Sequence, residues 1–325
     1  MMTYSQILQA SPKNLRTGIV EVILETSPVL SRLPFVSTDG YLHYEWALQR
    51  RLPASGFRPL NAEYQSTSSE YDRGRIDLKP LGGTVKLDRL FADHPTASMI
   101  TVYENEIRAR ARSASMAFKR AMIKGNKALN PAEFDGLQTW FDDGTLAGQT
   151  VDLAASGSTF TALGAEATLR KLHEAIDKCI VIPDFILANR TIISQLASLA
   201  LAAAGNEAFA TYFRMSKVEI GNGRMASVGE LYGIPVFALD TDEQGNEILS
   251  FTEPRPDGSG SDCASMYFVC AGAGFTFGLQ QTPEGVRVFE HVTTEGHRAV
   301  SIDWPAAIVV EHPRAVSRLR GIRAA

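Results

Sequence analysis

Residues 41–50 alternate, with Leu42, Tyr44, Trp46 and Leu48 on one side and Tyr41, His43, Glu45 and Ala47 on the other. This is the period-two pattern of a strand with one covered face. Residues 52–73 are polar and rich in turn formers (Pro53, Gly56, Pro59, then Ser66-Thr67-Ser68-Ser69-Glu70), before Arg75-Ile76-Asp77-Leu78-Lys79 alternates again. The two runs predict a long hairpin over 41–82. Its tip, 54–72, holds too few apolar residues to fold back on a core, so it is expected to project into solvent or onto a neighbouring subunit.

The period changes after Pro95. Ile100, Tyr103, Ile107, Ala111, Ala114, Phe118 and Met122 recur at spacings of three and four, which predicts a helix over Ala97–Lys124, roughly 40 Å long at about 1.5 Å per residue. The other positions include Arg108, Arg110, Arg112, Lys119, Arg120 and Lys124. This basic stripe is either a solvated face or one turned toward packaged DNA or an acidic partner segment. A turn-rich loop over 125–150 encloses Phe134, Leu137, Trp140 and Phe141. Helical patterns at 160–178 and 190–204 bracket a strand-like run at 179–182. The last third reads as strands at 218–220, 233–239, 266–269, 276–280, 286–292, 300–304 and 307–310, with a surface loop at 253–260. The first 36 residues have little periodicity and are interrupted by prolines, as in an extended arm that must dock on something to be ordered.

With 325 residues and 45% hydrophobic content, the chain can bury a substantial core, and its length favours two domains. The formal net charge of −4 argues against a dedicated DNA binder, whose affinity comes from a concentrated positive face. A mildly acidic balance suits a protein that touches DNA only weakly, if at all. Cys179, Cys263 and Cys270 are three in number and lack a Cys-x-x-Cys spacing, so they read as structural thiols. The N-terminus has no signal-peptide pattern and no apolar run reaches about 18 residues. Synthesis in a cytoplasm and no membrane partner are expected.

Motifs for catalysis or cofactor binding are weak. Val218-Glu219-Ile220-Gly221-Asn222-Gly223 with Ala226, and Asp240 downstream, has the outline of a dinucleotide turn, but Gly229, Gly233 and Pro235 follow where a helix should open. Ala271-Gly272-Ala273-Gly274 is followed by β-prone Phe275-Thr276-Phe277 and reads as a β-turn. His43, His94, His173, His291, His297 and His312 have no ligand spacing. Asp142-Asp143 and Asp240 with Asp242 lie in turns, where local backbone hydrogen bonding accounts for them. No catalytic residue, cofactor site or metal site is assigned.

In order along the chain, several segments resemble the major capsid proteins of tailed bacteriophages with the Hong Kong 97 fold. Leu52-Pro53, Phe57-Arg58, Asn61, Leu81-Gly82-Gly83 and Asp88 resemble that family's projecting hairpin. Phe134-Asp135-Gly136-Leu137 resembles a short motif after its long helix. Residues 182–189, from Ile182-Pro183-Asp184 to Asn189, resemble the entry to its axial domain. Met266-Tyr267-Phe268-Val269, Gly278-Leu279-Gln280, Trp304 and residues 315–322 resemble its closing strands. The resemblance implies an α+β fold with an N-terminal arm (1–40) and an extended loop, or E-loop (41–82). A peripheral domain on the spine helix (83–150) and an axial domain (151–275) follow, then peripheral return strands (276–304) and an axial C-terminal segment (305–325). It further implies hexamers and pentamers of this chain in an icosahedral shell. The implied partners are a scaffolding protein, a portal, decoration proteins and weakly held double-stranded DNA, and the location is the virion.

Arm and hairpin cannot bury themselves, which is what an assembling subunit requires. Arg50, Arg51, Arg58, Arg73, Arg75 and Lys79 are candidates for pairing with acidic groups across subunits, against a plain surface-charge reading. Arg108, Arg110, Arg112, Lys119 and Arg120 are candidates for an inner basic face. Lys79 and Lys86 lie near the hairpin base, so lysine–asparagine crosslinking is not expected. The rivals are an encapsulin-like shell enclosing protein cargo, a soluble enzyme with a β-rich C-terminal domain, and a tail or decoration protein.

Overall fold

The computed structural model describes residues 28–88, 97–202, 212–219, 225–239, 241–283, 285–292 and 297–324. Two sheets organise them. In the first, β13 (His297–Val310) is the axis. β4 (Lys79–Asp88) pairs antiparallel along one edge. β12 (Arg287–Val292) and then β11 (Thr276–Gln280) share the other, and β1 (Phe35–Ser37) adds to β11 in parallel.

The sequence pattern divided β13 at Pro305, and the structure carries the strand straight through. Pro305 faces Pro80 on β4, while on the opposite edge β12 ends its pairing at Asp303 and β11 begins at Ala306. The N–H that proline lacks therefore falls where the ladder is already interrupted. The expected segment division at 304/305 lies inside this strand.

The long helix α2 (Ala97–Lys124) has the predicted bounds and packs on β4 and β13. Ile107, Ala111, Ala114, Phe118 and Met122 are buried. Phe118 stacks on Trp304 with ring centroids 4.9 Å apart and also meets Phe35 and Phe134 at 5.7 and 5.6 Å. The end of the expected arm docks on the chain's own core. Val29 and Leu30 of helix α1 (Pro28–Arg32) are buried with Leu33, and Phe35 touches Trp304 at 5.6 Å. Residues 1–27 of that arm lie outside the described residues.

The second sheet has seven strands in the order β5 (Thr150–Asp152), β14 (Val316–Arg323), β10 (Cys263–Val269), β6 (Phe185–Ala188), β9 (Ile234–Ala238), β8 (Met225–Leu231) and β7 (Phe213–Glu219). Every residue of β10 and β6 is buried, which is why these strands read as unbroken apolar runs. Helices α4 (Phe160–Leu163), α5 (Ala165–Lys178) and α6 (Arg190–Ala202) belong to this half, and α3 (Leu137–Asp142) packs on α2.

Three expectations change here. The helix predicted over 160–178 is two helices, because Gly164 takes φ +85° between them, a left-handed conformation that ends a helix. Residues 179–182 are not a strand: Ile180, Val181 and Ile182 follow the end of α5 and are 43%, 44% and 75% exposed. The strand of that unit is β6, after Pro183, where β10 and β9 supply neighbours on both edges. Thirdly, β8 was not anticipated. Glu219 of β7 pairs with Met225 of β8 in an antiparallel ladder, where a dinucleotide turn would open a helix. The turn residues 220–224 and Asp240 lie outside the described residues.

Candidate assembly surface

β2 (His43–Arg51) and β3 (Glu70–Asp77) form a separate two-stranded ribbon, running from His43 opposite Asp77 to Arg51 opposite Glu70. Such a ribbon has no second layer and needs an anchor. Tyr44 provides it. Its hydroxyl donates to the Glu311 carboxylate at 2.6 Å, its ring meets Phe277 edge-on at 5.8 Å, and Trp46 stacks beside it at 6.1 Å. Burial, aided by the Glu311 carboxylate, pushes the Tyr44 hydroxyl pKa up to about 12. Leu78, buried where β3 gives way to β4, donates its N–H to the Leu42 carbonyl at 2.8 Å. Within β2 the alternation is as predicted, with Tyr44, Trp46 and Leu48 half-buried and the residues between them exposed, whereas Leu42, expected on the same covered side, is 57% exposed. A cleft of about 340 Å³ separates the ribbon's base from the 125–146 segment, lined by Trp46, Arg75, Lys79, Lys127, Asp135 and Trp140 among others.

Beyond the anchor the hairpin leaves the core. Residues 52–68 are all exposed, with Phe57 and Leu60 essentially as open as in an unfolded chain and Tyr64 at 69%. The tip holds its own shape: Asn61 takes φ +66°, and Ala62 N–H reaches the Pro59 carbonyl at 3.2 Å. Arg58 lies 4.8 Å over the Tyr64 ring and donates to the Ala62 carbonyl at 2.7 Å, and Thr67 donates to the Ala54 carbonyl at 3.2 Å. Burying an apolar side chain of this size is worth about 1.5–3 kcal/mol. A shaped loop that leaves such residues in water is the mark of a protein contact surface.

The candidate basic residues are spread along this ribbon. Arg51 faces Glu70 at 3.6 Å, and Arg75 faces Glu45 at 3.5 Å and Asp77 at 3.2 Å, all with side chains more than half exposed. Exposed pairs of this kind contribute little, about 0–1 kcal/mol, and exchange partners readily. Arg73 is exposed on β3, Lys79 is half-buried in the cleft, and Arg50 lies on β2 with its side chain outside the described residues.

The basic stripe of α2 is shorter than its sequence. Arg108, Arg110 and Arg112 are exposed, but Lys119 is only 6% exposed. Arg120 binds Glu133 at 2.6 Å and lies 3.8 Å from Glu243, and Lys124 donates to Ser250 at 2.9 Å. Arg110 packs toward Gly83 of β4, whereas Arg108 and Arg112, four residues apart, share one side of the helix.

Pattern reading also missed a buried ionic cluster. Arg318 on β14 donates to Glu253 at 2.7 Å, to Asp142 at 2.8 Å and to Ser265 at 2.9 Å, and Ser265 in turn donates to Glu253. Burial alone would lower the Arg318 pKa, but Tyr267, Glu253 and Asp142 together hold it raised. No group of three or more His, Cys, Asp or Glu among the described residues is arranged to hold a metal ion.

A projecting ribbon, a long helix packed on a sheet built around β13, and a second, seven-stranded sheet define the class of fold. The chain has the Hong Kong 97 capsid fold, which it shares with phage capsids and encapsulins. In sequence it matches the family of major capsid protein GP7 over residues 11–163. Among solved structures, it resembles the holo-SrpI encapsulin complex from Synechococcus elongatus PCC 7942, with TM-score 0.60 and 14% identity over 91% of this chain and 88% of that one. The capsid of Myoviridae phage XM1 gives TM-score 0.59 and 11% identity over 90% and 91%. The capsid of the native GTA particle gives 0.56 and 15% over 91% and 90%. No curated protein matches the sequence. Fold and family match together support a phage major capsid protein at least as well as an encapsulin.

Proposed function

We propose that the chain is the head-shell subunit of a tailed phage or prophage, assembling into hexamers and pentamers of a closed icosahedral shell around double-stranded DNA. The observation that carries this reading is the ribbon tip at 52–68, shaped by its own contacts yet exposing Phe57, Leu60 and Tyr64. Modest contacts of this kind, repeated around a closed symmetric shell, become collectively strong. In this reading α2 and the β13 sheet form the peripheral domain and the seven-stranded sheet the axial domain. Arg50, Arg51, Arg58, Arg73, Arg75 and Lys79 meet acidic groups of neighbouring subunits. Scaffolding protein, portal and decoration proteins are the accompanying partners, host cytoplasm the site of assembly and the virion the destination.

The test is expression of the chain, with and without a co-expressed scaffold, followed by negative-stain microscopy. Thin-walled shells or capsomer rings are expected, and a persistent compact monomer under both conditions overturns the reading. The likeness to the holo-SrpI shell supports a second reading, a nanocompartment enclosing protein. Particle contents separate the two: nuclease-protected DNA supports the first and a protein cargo the second.

A further inference from the structure

Two of the three cysteines meet at the end of the seven-stranded sheet. Cys179 caps the C-terminus of α5, and Cys270 directly follows β10. The Cys270 thiol donates to the carbonyl of Val181, two residues beyond Cys179, at 3.5 Å, and its sulfur lies against that of Cys179. Both are held by the start of β14 and the residue before it. Cys179 Sγ lies 3.4 Å from the Ser317 hydroxyl, and Cys270 N–H donates to the Ala315 carbonyl at 2.9 Å. Both thiols are buried, yet the cover is thin, since the next three residues after Cys179 are the exposed Ile180, Val181 and Ile182.

We infer that Cys179 and Cys270 form a redox-active dithiol that closes to a disulfide tying the end of α5 to the end of β10. The pair is chemically unequal. The contact with Cys270 lowers the Cys179 pKa against its burial, whereas the same contact and burial raise that of Cys270. Cys179, the less deeply buried of the two and next to the exposed 180–182 segment, is the attacking thiolate and Cys270 the resolving thiol. With a small disulfide such as oxidised glutathione as oxidant, Cys179 Sγ attacks one sulfur. The glutathione S–S bond breaks, and the first glutathione leaves as thiolate and takes up a proton. Cys270 then gives up its proton and attacks Cys179 Sγ of the mixed disulfide, releasing the second glutathione. Two protein thiols are oxidised and one glutathione disulfide is reduced to two thiols. Cys263 is an internal control. It is as buried as Cys270, but it begins β10, roughly 20 Å away along the strand. The dithiol does not depend on the shell reading. Under that reading, oxidation follows release of particles from a reducing cytoplasm.

The test uses the full chain, incubated with oxidised glutathione for a day at 37 °C, quenched with acid, unfolded and alkylated with N-ethylmaleimide. Chymotrypsin, cutting after Tyr267 and Phe268, separates Cys263 from Cys270 for mass spectrometry. The expected product is a Cys179–Cys270 linked peptide with Cys263 alkylated. The oxidised chain should melt on the order of 5 °C above the reduced one, and Cys270→Ala should lose both the linkage and the shift. Maleimide on both Cys179 and Cys270, a stable glutathione adduct at Cys179, or a linkage through Cys263 overturns the inference.

Discussion

Gly74 stands directly opposite Trp46 in the hairpin ladder, and any Cβ at position 74 would enter the volume of the indole ring. The bare strand lets Trp46 lie across β3 while it stacks on Tyr44, so the glycine helps join the ribbon to its anchor. Gly74→Val is expected to displace the ring and destabilise the fold by about 1–3 kcal/mol, read by urea denaturation. In a Trp46→Ala background the same substitution should cost much less, because the obstructing ring is gone. Equal costs in both backgrounds would show that the two residues do not act on each other.

The Tyr44–Glu311 bond makes the anchor sensitive to alkali. The folded pKa of Tyr44, about 12, lies above its ordinary value of 10.0. The folded state therefore holds the proton more tightly, and the stabilisation is fully present below pH 10 and lost as pH rises through 12. Between pH 9 and 12, wild-type stability should fall more steeply than that of Tyr44→Phe. Parallel pH profiles would remove Tyr44 as the source.

The exposed tip separates folding from assembly. Phe57→Ser with Leu60→Ser removes apolar groups that touch little of their own subunit, so monomer stability should stay within about 0.5 kcal/mol of the parent. Shell formation should nevertheless fail, because each subunit contact loses about 1.5–3 kcal/mol per side chain. Urea denaturation reads the first outcome and sedimentation velocity the second. Intact shells from the doubly substituted chain would mean that the tip is not a contact surface.

How much of this was legible in the sequence depends on how local the cause was. Period 3.6 over 28 residues marks α2 to the residue, and period two marks Tyr44, Trp46 and Leu48. Pro305 misled because its tolerance depends on Pro80 and on the gap between β12 and β11, all distant in sequence. Ile180-Val181-Ile182 is more β-prone than most strands, but only Phe185–Ala188 acquires neighbours on both edges. Lys119 and Arg120 read as part of one basic helix face, and the role of Arg318 had no local signal, because the carboxylates Glu133 and Glu253 that hold the two arginines become neighbours only through the fold.

Arg318 and Glu253 are each 4% exposed, so the cost of separating them is that of stranding a buried charge. Glu253→Gln is expected to destabilise by about 3 kcal/mol, measured by thermal or urea denaturation. Replacing both partners, as Glu253→Leu with Arg318→Met, should recover much of that loss because no buried charge is left unpaired, the third member Asp142 being 56% exposed. If the double substitution is worse than the sum of the singles, the cluster holds the 253 loop by something other than charge compensation.

On α2, exposure narrows the candidate inner face to Arg108 and Arg112, with Arg110 turned toward β4 and Lys119 and Arg120 taken up internally. A helix side that meets DNA through two arginines contributes counterion release and little else, since a container gains nothing from reading bases. Arg108→Gln with Arg112→Gln should therefore leave stability within about 0.5 kcal/mol while flattening the salt dependence of duplex binding by roughly one unit of log–log slope per charge removed. Fluorescence anisotropy of a labelled duplex, titrated with the unassembled chain across potassium chloride concentrations, supplies that slope. An unchanged slope would place these arginines away from the DNA and return the helix face to solvent or to a protein partner.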